Sequence, residues 1–233
     1  MRTLLIMVLG LTMSACTNTG TTRTTISVLE DVTESNFLTC PSHELLVPKL
    51  GLQSDMWASA RFRYSTITGI NYNHRKELFI EKQMALLGNE LERKKKVTDF
   101  LSEMKTVLTK DKTTNPYKHS SIWEPLIKEL IVLQKDTSFT TELYVFSDLQ
   151  ENALWFSVYK KSDLKTLKMT PKKIVDLFLY KASAITKGTK HLKVIVVYQP
   201  KDIQEDMAFK HMVNLYTTLF EHLQISIEFT ANI

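Results

Sequence analysis

The run Leu192-Lys193-Val194-Ile195-Val196-Val197-Tyr198 is almost entirely apolar and rich in β-branched side chains. A strand that is apolar on both faces must be covered on both faces, which is the situation of a central strand in a parallel sheet with helices above and below it. The flanking segments fit that frame. Residues 203–223 carry a helical pattern and 224–229 a short final strand, while Pro171 suits the first turn of a helix bearing Ile174, Leu177 and Phe178. Residues 142–147 read as a buried strand ending at Asp148, and residues 25–30 as a β-rich run ending at Asp31. Residues 58–67 and 77–82 are two strands joined by Thr68-Gly69-Ile70-Asn71-Tyr72-Asn73, the pattern of a hairpin.

Between these lie helical patterns. Leu91, Val97, Phe100, Leu101, Met104 and Leu108 share one face of a long helix that ends in the loop 110–119. A second helix carries Ile122, Leu126, Ile127, Leu130 and Ile131; residues 41–50 form a short helical candidate interrupted by Pro48; residues 155–159 suit either a short strand or a packed loop. Apart from the hairpin, every connection is a helical crossover. The expected fold is therefore α/β and Rossmann-like: a mostly parallel central sheet with one antiparallel hairpin strand and helices on both faces.

With 233 residues and 43% hydrophobic content, the chain can bury one sizeable core and is short for two average domains. The net charge of +5 is a mild excess without a long basic arm, so no nucleic-acid partner is expected. The one basic run, Arg93-Lys94-Lys95-Lys96, falls inside the long helical pattern and is expected to form its solvated face.

The first residues have a different character. Met1-Arg2 is a short positive start, and residues 3–13 are an apolar run, too short for the ~20 residues a membrane-spanning helix needs. Met13-Ser14-Ala15-Cys16 resembles the lipobox of bacterial lipoproteins, in which small residues precede an acylated cysteine. That resemblance implies a signal peptide over 1–15 and a diacylglycerol- and palmitate-type lipid anchor on Cys16, since two or more acyl chains hold a protein stably on a bilayer. It also implies a place in the bacterial cell envelope, on the outer membrane more than the inner. Residues 16–24 read as a flexible tether and 25–233 as the folded domain. With Cys16 acylated, Cys40 has no disulfide partner and is expected to be a buried thiol.

Three short motifs fall where such a sheet presents a crevice: Asp31-Val32-Thr33-Glu34-Ser35 after the first strand, Ser120-Ser121 before a helix, and Phe146-Ser147-Asp148 ending a later strand. Asp31, Thr33, Ser35, Ser120 and Asp148 offer only hard oxygen donors, which suit Mg²⁺, and no nitrogen or sulfur cluster competes. The same residues also suit helix caps and turns, roles compatible with ion binding. Six histidines show no metal-helix spacing, only six glycines are present with no phosphate-cradling loop among them, and the three tryptophans read as packing residues.

This arrangement resembles the metal-ion-dependent adhesion site of von Willebrand factor A domains. There an Asp-x-Ser-x-Ser turn, a loop Thr and a strand-end Asp surround Mg²⁺ or Mn²⁺. The turn falls on Asp31, Thr33 and Ser35, the loop hydroxyl on Ser120, with Thr113 and Thr114 as alternatives, and the strand-end carboxylate on Asp148. Thr33 and Ser120 exchange one hydroxyl residue for another; Glu30 stands where an apolar residue usually precedes the first Asp, and Leu149 where glycine often follows the last. The resemblance implies a metal-dependent protein-binding module rather than an enzyme, whose ion takes an Asp or Glu from an envelope or surface partner. The alternatives are a metal-dependent phosphohydrolase, whose usual second Asp is replaced by Thr33, and a structural envelope lipoprotein with a vestigial site.

Overall fold

The computed structural model describes residues 23–33, 37–68, 75–110 and 120–233. Its centre is a six-stranded sheet formed by β1 (Thr24–Asp31), β2 (Ala60–Ile67), β3 (Arg75–Ile80), β4 (Thr140–Phe146), β5 (Leu192–Val197) and β6 (Ser226–Thr230). The spatial order is β3-β2-β1-β4-β5-β6; only β3 is antiparallel, pairing with β2 as the hairpin. The α/β, Rossmann-like expectation is met. The turn residues 69–74 lie outside the described residues.

Strand alternation builds two cores. Ile26 and Val28 of β1, with Phe62, Tyr64, Tyr144, Phe146, Ile195 and Val197, face α1 (His43–Leu46), the 3-10 turn Val47–Leu50 and α2 (Glu90–Thr109). On the opposite face, Leu29, Leu143, Val145, Val194 and Val196 pack against α3 (Trp123–Leu133), α5 (Pro171–Lys181) and α6 (Ile203–Leu223), with α4 (Lys161–Met169) at the margin. Trp123 is the largest fully buried side chain; its ring meets Phe178, Tyr216 and Phe220 at 5.3, 5.4 and 6.3 Å, and its indole N–H donates to the Phe178 carbonyl at 2.9 Å. It therefore ties three helices together through both packing and a polar handle.

Several local expectations are corrected. Arg93 is buried, not solvated: its guanidinium donates to the carbonyls of Met56, Glu81 and Ala58 at 2.5, 2.8 and 2.6 Å. Lys94 and Lys96 do face water, paired with Glu90 and Glu92 one turn earlier. Leu91 is exposed, because the inward face of the first turn of α2 is taken by Arg93. Cys40 is exposed, not buried, although Pro41 beside it is buried. Residues 155–159 belong to a loop, closed by an isolated bridge between Asn152 and Ser157.

Candidate functional site

Parallel pairing of β1 with β4 puts Glu30 opposite Phe146. The next residues, Asp31 and Ser147, therefore emerge side by side at the carboxyl edge. Here the strand order reverses, with β2 and β3 on one side and β4 to β6 on the other, the place where an open α/β sheet leaves a crevice. Alternation turns Glu30 to the α2 side, where it accepts the Tyr64 hydroxyl at 2.7 Å. Asp31 turns to the α3 and α6 side.

Asp31 is the hub. Its Oδ1 accepts the Thr33 hydroxyl at 2.6 Å and the Thr33 backbone N–H at 3.0 Å; its Oδ2 accepts the Ser147 hydroxyl at 3.0 Å and the Ser120 hydroxyl at 3.4 Å. The residue is only 4% exposed, and no basic side chain among the described residues pairs with it. Burial pushes its pKa above the usual Asp value, against the opposing effect of the bonds from Thr33, Ser147 and Ser120.

Asp148 is buried one residue beyond Ser147, and its Oδ1 accepts the Gln150 N–H at 2.9 Å. Between them, Leu149 donates its N–H to the Ser147 hydroxyl at 3.0 Å and holds φ at 61°. This is the left-handed conformation that glycine adopts freely and that costs other residues roughly 1–2 kcal/mol. Leu149 thus keeps the backbone shape of the expected glycine, while its fully buried side chain packs into the α3–α6 core.

A further acid completes the region. Glu151 is fully buried, and its Oε2 accepts the N–H groups of Ile122 and Trp123 at 3.0 and 2.8 Å, so Glu151 satisfies the opening of α3 where Ser120 was a candidate cap. Burial raises its pKa to about 7 even against those two bonds. Glu151 Oε1 and the Tyr216 hydroxyl find no hydrogen-bond partner among the described residues. The Tyr216 pKa is pushed well above its usual value, first by complete burial and then by the negative charges of Glu151, Asp148 and Asp31. Three carboxyl groups therefore lie within electrostatic reach of one buried phenol.

Of the residues singled out from the sequence, Asp31, Thr33 and Ser120 are in direct contact and Asp148 adjoins them; Ser35 and Cys16 lie outside the described residues. Ser147 and Glu151 were missed. The motif Phe146-Ser147-Asp148 held the signal for Ser147, because strand register, and not residue type, decides which side chain meets Asp31. Glu151 had no local signal, since its partners lie 29 and 28 residues earlier in the chain.

The donor set is chemically consistent with a hard divalent cation. A hydroxyl that gives its hydrogen to Asp31 keeps its oxygen lone pairs for an ion. Among the described residues no three His, Cys, Asp or Glu side chains form a metal-binding group, so the fit depends on hydroxyl oxygens beside carboxylates. No helix among the described residues is long and apolar enough to cross a membrane.

No protein-family model matches the sequence, and no curated protein matches it. Among solved structures, the chain is similar to the human COPII-coat protein Sec24c, with a TM-score of 0.35 and 8% identity over 90% of this chain and 30% of that one. The chain thus spans less than a third of the length of that structure.

Proposed function

We propose that the chain is a protein-binding module of the von Willebrand factor A type, dependent on Mg²⁺ or Mn²⁺ and tethered to the bacterial envelope through lipid on Cys16. The observation that carries this reading is the convergence of the Thr33, Ser120 and Ser147 hydroxyls on the buried Asp31 carboxylate at the β1/β4 crevice. Asp31, Thr33, Ser120 and Asp148, with Ser35, would hold the ion. When bound, it supplies an electrophilic position that an Asp or Glu of a partner can fill. The chain's own part is to keep the acid dry and its hydroxyls oriented before the ion arrives. No observation favours the phosphohydrolase alternative: Thr33 stands where that chemistry wants a carboxylate, and its hydroxyl is engaged with Asp31.

An ion that binds only the native state raises stability by RT ln(1 + [L]/Kd), about 2.7 kcal/mol at a hundredfold excess over Kd. Millimolar Mg²⁺ or Mn²⁺ should therefore raise the melting temperature of the wild type and leave Asp31→Ala unmoved. A wild type that does not respond would mean a vestigial site. The anchor has its own test: fatty-acid labelling in a bacterial host should mark the wild type and miss Cys16→Ala, and equal labelling of both would remove the lipidation reading.

A further inference from the structure

The edge of the sheet opposite the crevice carries the densest exposed apolar run among the described residues. Met84, Leu86 and Leu87 are 68, 95 and 81% exposed in the connection from β3 to α2, and Leu91 in the first turn of α2 is 79% exposed. Elsewhere among the described residues, no two exposed large apolar side chains stand closer than four residues in the sequence. Scattered singly, such residues are ordinary; a cluster marks a surface that something else covers.

The turn is held in shape from both ends. The Leu87 N–H donates to the Met84 carbonyl at 3.1 Å and the Gln83 N–H to the Trp57 carbonyl at 3.0 Å, while the Asn89 side chain accepts the N–H groups of Leu91 and Glu92. Gly88 lies so close to the Trp57 ring that an added Cβ would sit 2.3 Å from it. These contacts fix the backbone and leave the apolar side chains of the turn in water.

The place where the chain enters the domain says what covers them. Ile80 of β3 stands beside Ala60, and Ala60 beside Thr24, so the turn and the start of β1 lie on one edge of the sheet, two strands or about 10 Å apart. Cys16 precedes Arg23 by seven residues, at most about 25 Å of chain. The eight residues of β1 carry the carboxyl edge roughly 25 Å further away. On the lipid-anchor reading, acyl chains at Cys16 therefore bring the amino edge, and the turn with it, to the bilayer. The loops of this edge, 51–59, 81–89, 134–139 and 182–191, together with Arg23, hold five Lys or Arg against three Asp or Glu, and Glu90 and Glu92 pair with Lys94 and Lys96. An apolar tip in a mildly basic surround suits the interface of a bilayer with anionic headgroups.

We propose that the turn 84–87, with Leu91 beside it, inserts into the interfacial layer of an anionic membrane, so that the domain stands on the bilayer with the Asp31 crevice turned away from it. The proposal rests on the anchor reading only for what delivers the turn to the surface, and it does not need the metal.

The test places a tryptophan at the tip. Acylated protein from a bacterial host is reconstituted into vesicles of phosphatidylethanolamine and phosphatidylglycerol whose acyl chains carry bromine, which quenches tryptophan on contact. The fluorescence that Leu86→Trp adds over the wild type should be largely lost, and that added by Leu154→Trp, exposed on the carboxyl side, should be kept. Leu87→Asp, checked for an unchanged melting temperature, should restore the Leu86→Trp signal. The same set is run on the chain with residues 1–16 replaced by a hexahistidine segment held on nickel-chelating lipid in such vesicles, which keeps every described residue and supplies a tether without acyl groups. Quenching there, in a chain that fatty-acid labelling leaves unmarked, upholds the docking surface and removes the anchor reading alone. Leu86→Trp fluorescence quenched no more than that of Leu154→Trp in the tethered forms overturns the proposal, even where Cys16 is acylated. Leu86→Trp emission that shifts to the blue with protein concentration in the absence of vesicles also overturns it, since that assigns the turn to a second copy of the chain.

Discussion

Two buried acidic regions flank α3 on the same face of the sheet, and they are built on opposite principles. Around Glu129, in the second half of α3, every charge is answered: its Oε1 accepts from Arg63 at 2.6 Å and from the Ser27 hydroxyl at 2.9 Å, and its Oε2 meets Arg75 at 3.2 Å. Arg63 also pairs with Glu77. Burial works against the Arg63 charge, yet the bonds and charges of Glu129 and Glu77 outweigh it and lift its pKa above the usual value. At the other end of α3, Asp31 and Glu151 are as deeply buried and, among the described residues, receive only hydroxyls and backbone N–H groups. Neutral donors stabilise an ionised carboxylate less than a guanidinium does, and both acids have raised pKa values as a result. Among the described residues, the fold thus places arginines beside one buried acid and none beside the acids at the other end of the same helix.

The comparison breaks first at Arg63. Arg63→Met strands Glu129 without its main partner, and removing one member of a buried pair costs about 3–5 kcal/mol. Urea unfolding should show a loss of that size, and the double variant Arg63→Met/Glu129→Leu should recover most of it. A small loss in the single variant would mean that Glu129 is not held by charge.

A smaller effect sharpens the other side. Because the folded-state pKa of Glu151 is raised from 4.5 to about 7, its protonated form is favoured by folding. The stability it contributes is fully present below about pH 4.5 and lost as pH rises through about 7, on the order of 3 kcal/mol across that window. In EDTA, the wild type should lose stability from pH 4.5 to 7.5, and Glu151→Gln should remove most of that slope. Asp31, raised in the same direction, leaves a residual dependence of the same sign. Equal slopes in both proteins would contradict the burial argument.

Much of this was legible in the sequence because it is written in local period. The run 192–198 demanded cover on both faces, and Pro171 and the 203–223 pattern marked helices where α5 and α6 occur. What escaped depends on partners distant in the chain. Arg93 reads as part of a basic run until the carbonyls of Met56, Ala58 and Glu81 surround it, and Glu151 reads as a loop acid until the α3 terminus lands on it. Helix α4 escaped for another reason: its apolar side rests on little more than Leu164 and Leu167, too few positions for a period to show. In the site, Asp31, Thr33 and Ser120 were found through residue type, whereas Ser147 required knowledge of which strand lies beside β1.

The burial of Arg93 has a consequence for how the protein opens. Its guanidinium is satisfied only when the segment 56–58, the end of β3 and the first turn of α2 are all in place. Partial release of any one of these would expose carbonyls and strand a charge at once, so the three segments should open as a single cooperative unit. In native-state hydrogen exchange, amides of α2 and those at the close of β3 should share one opening free energy. That links the antiparallel edge of the sheet to a helix across its face, at the amino edge of the parallel strands, opposite the carboxyl edge that holds Asp31.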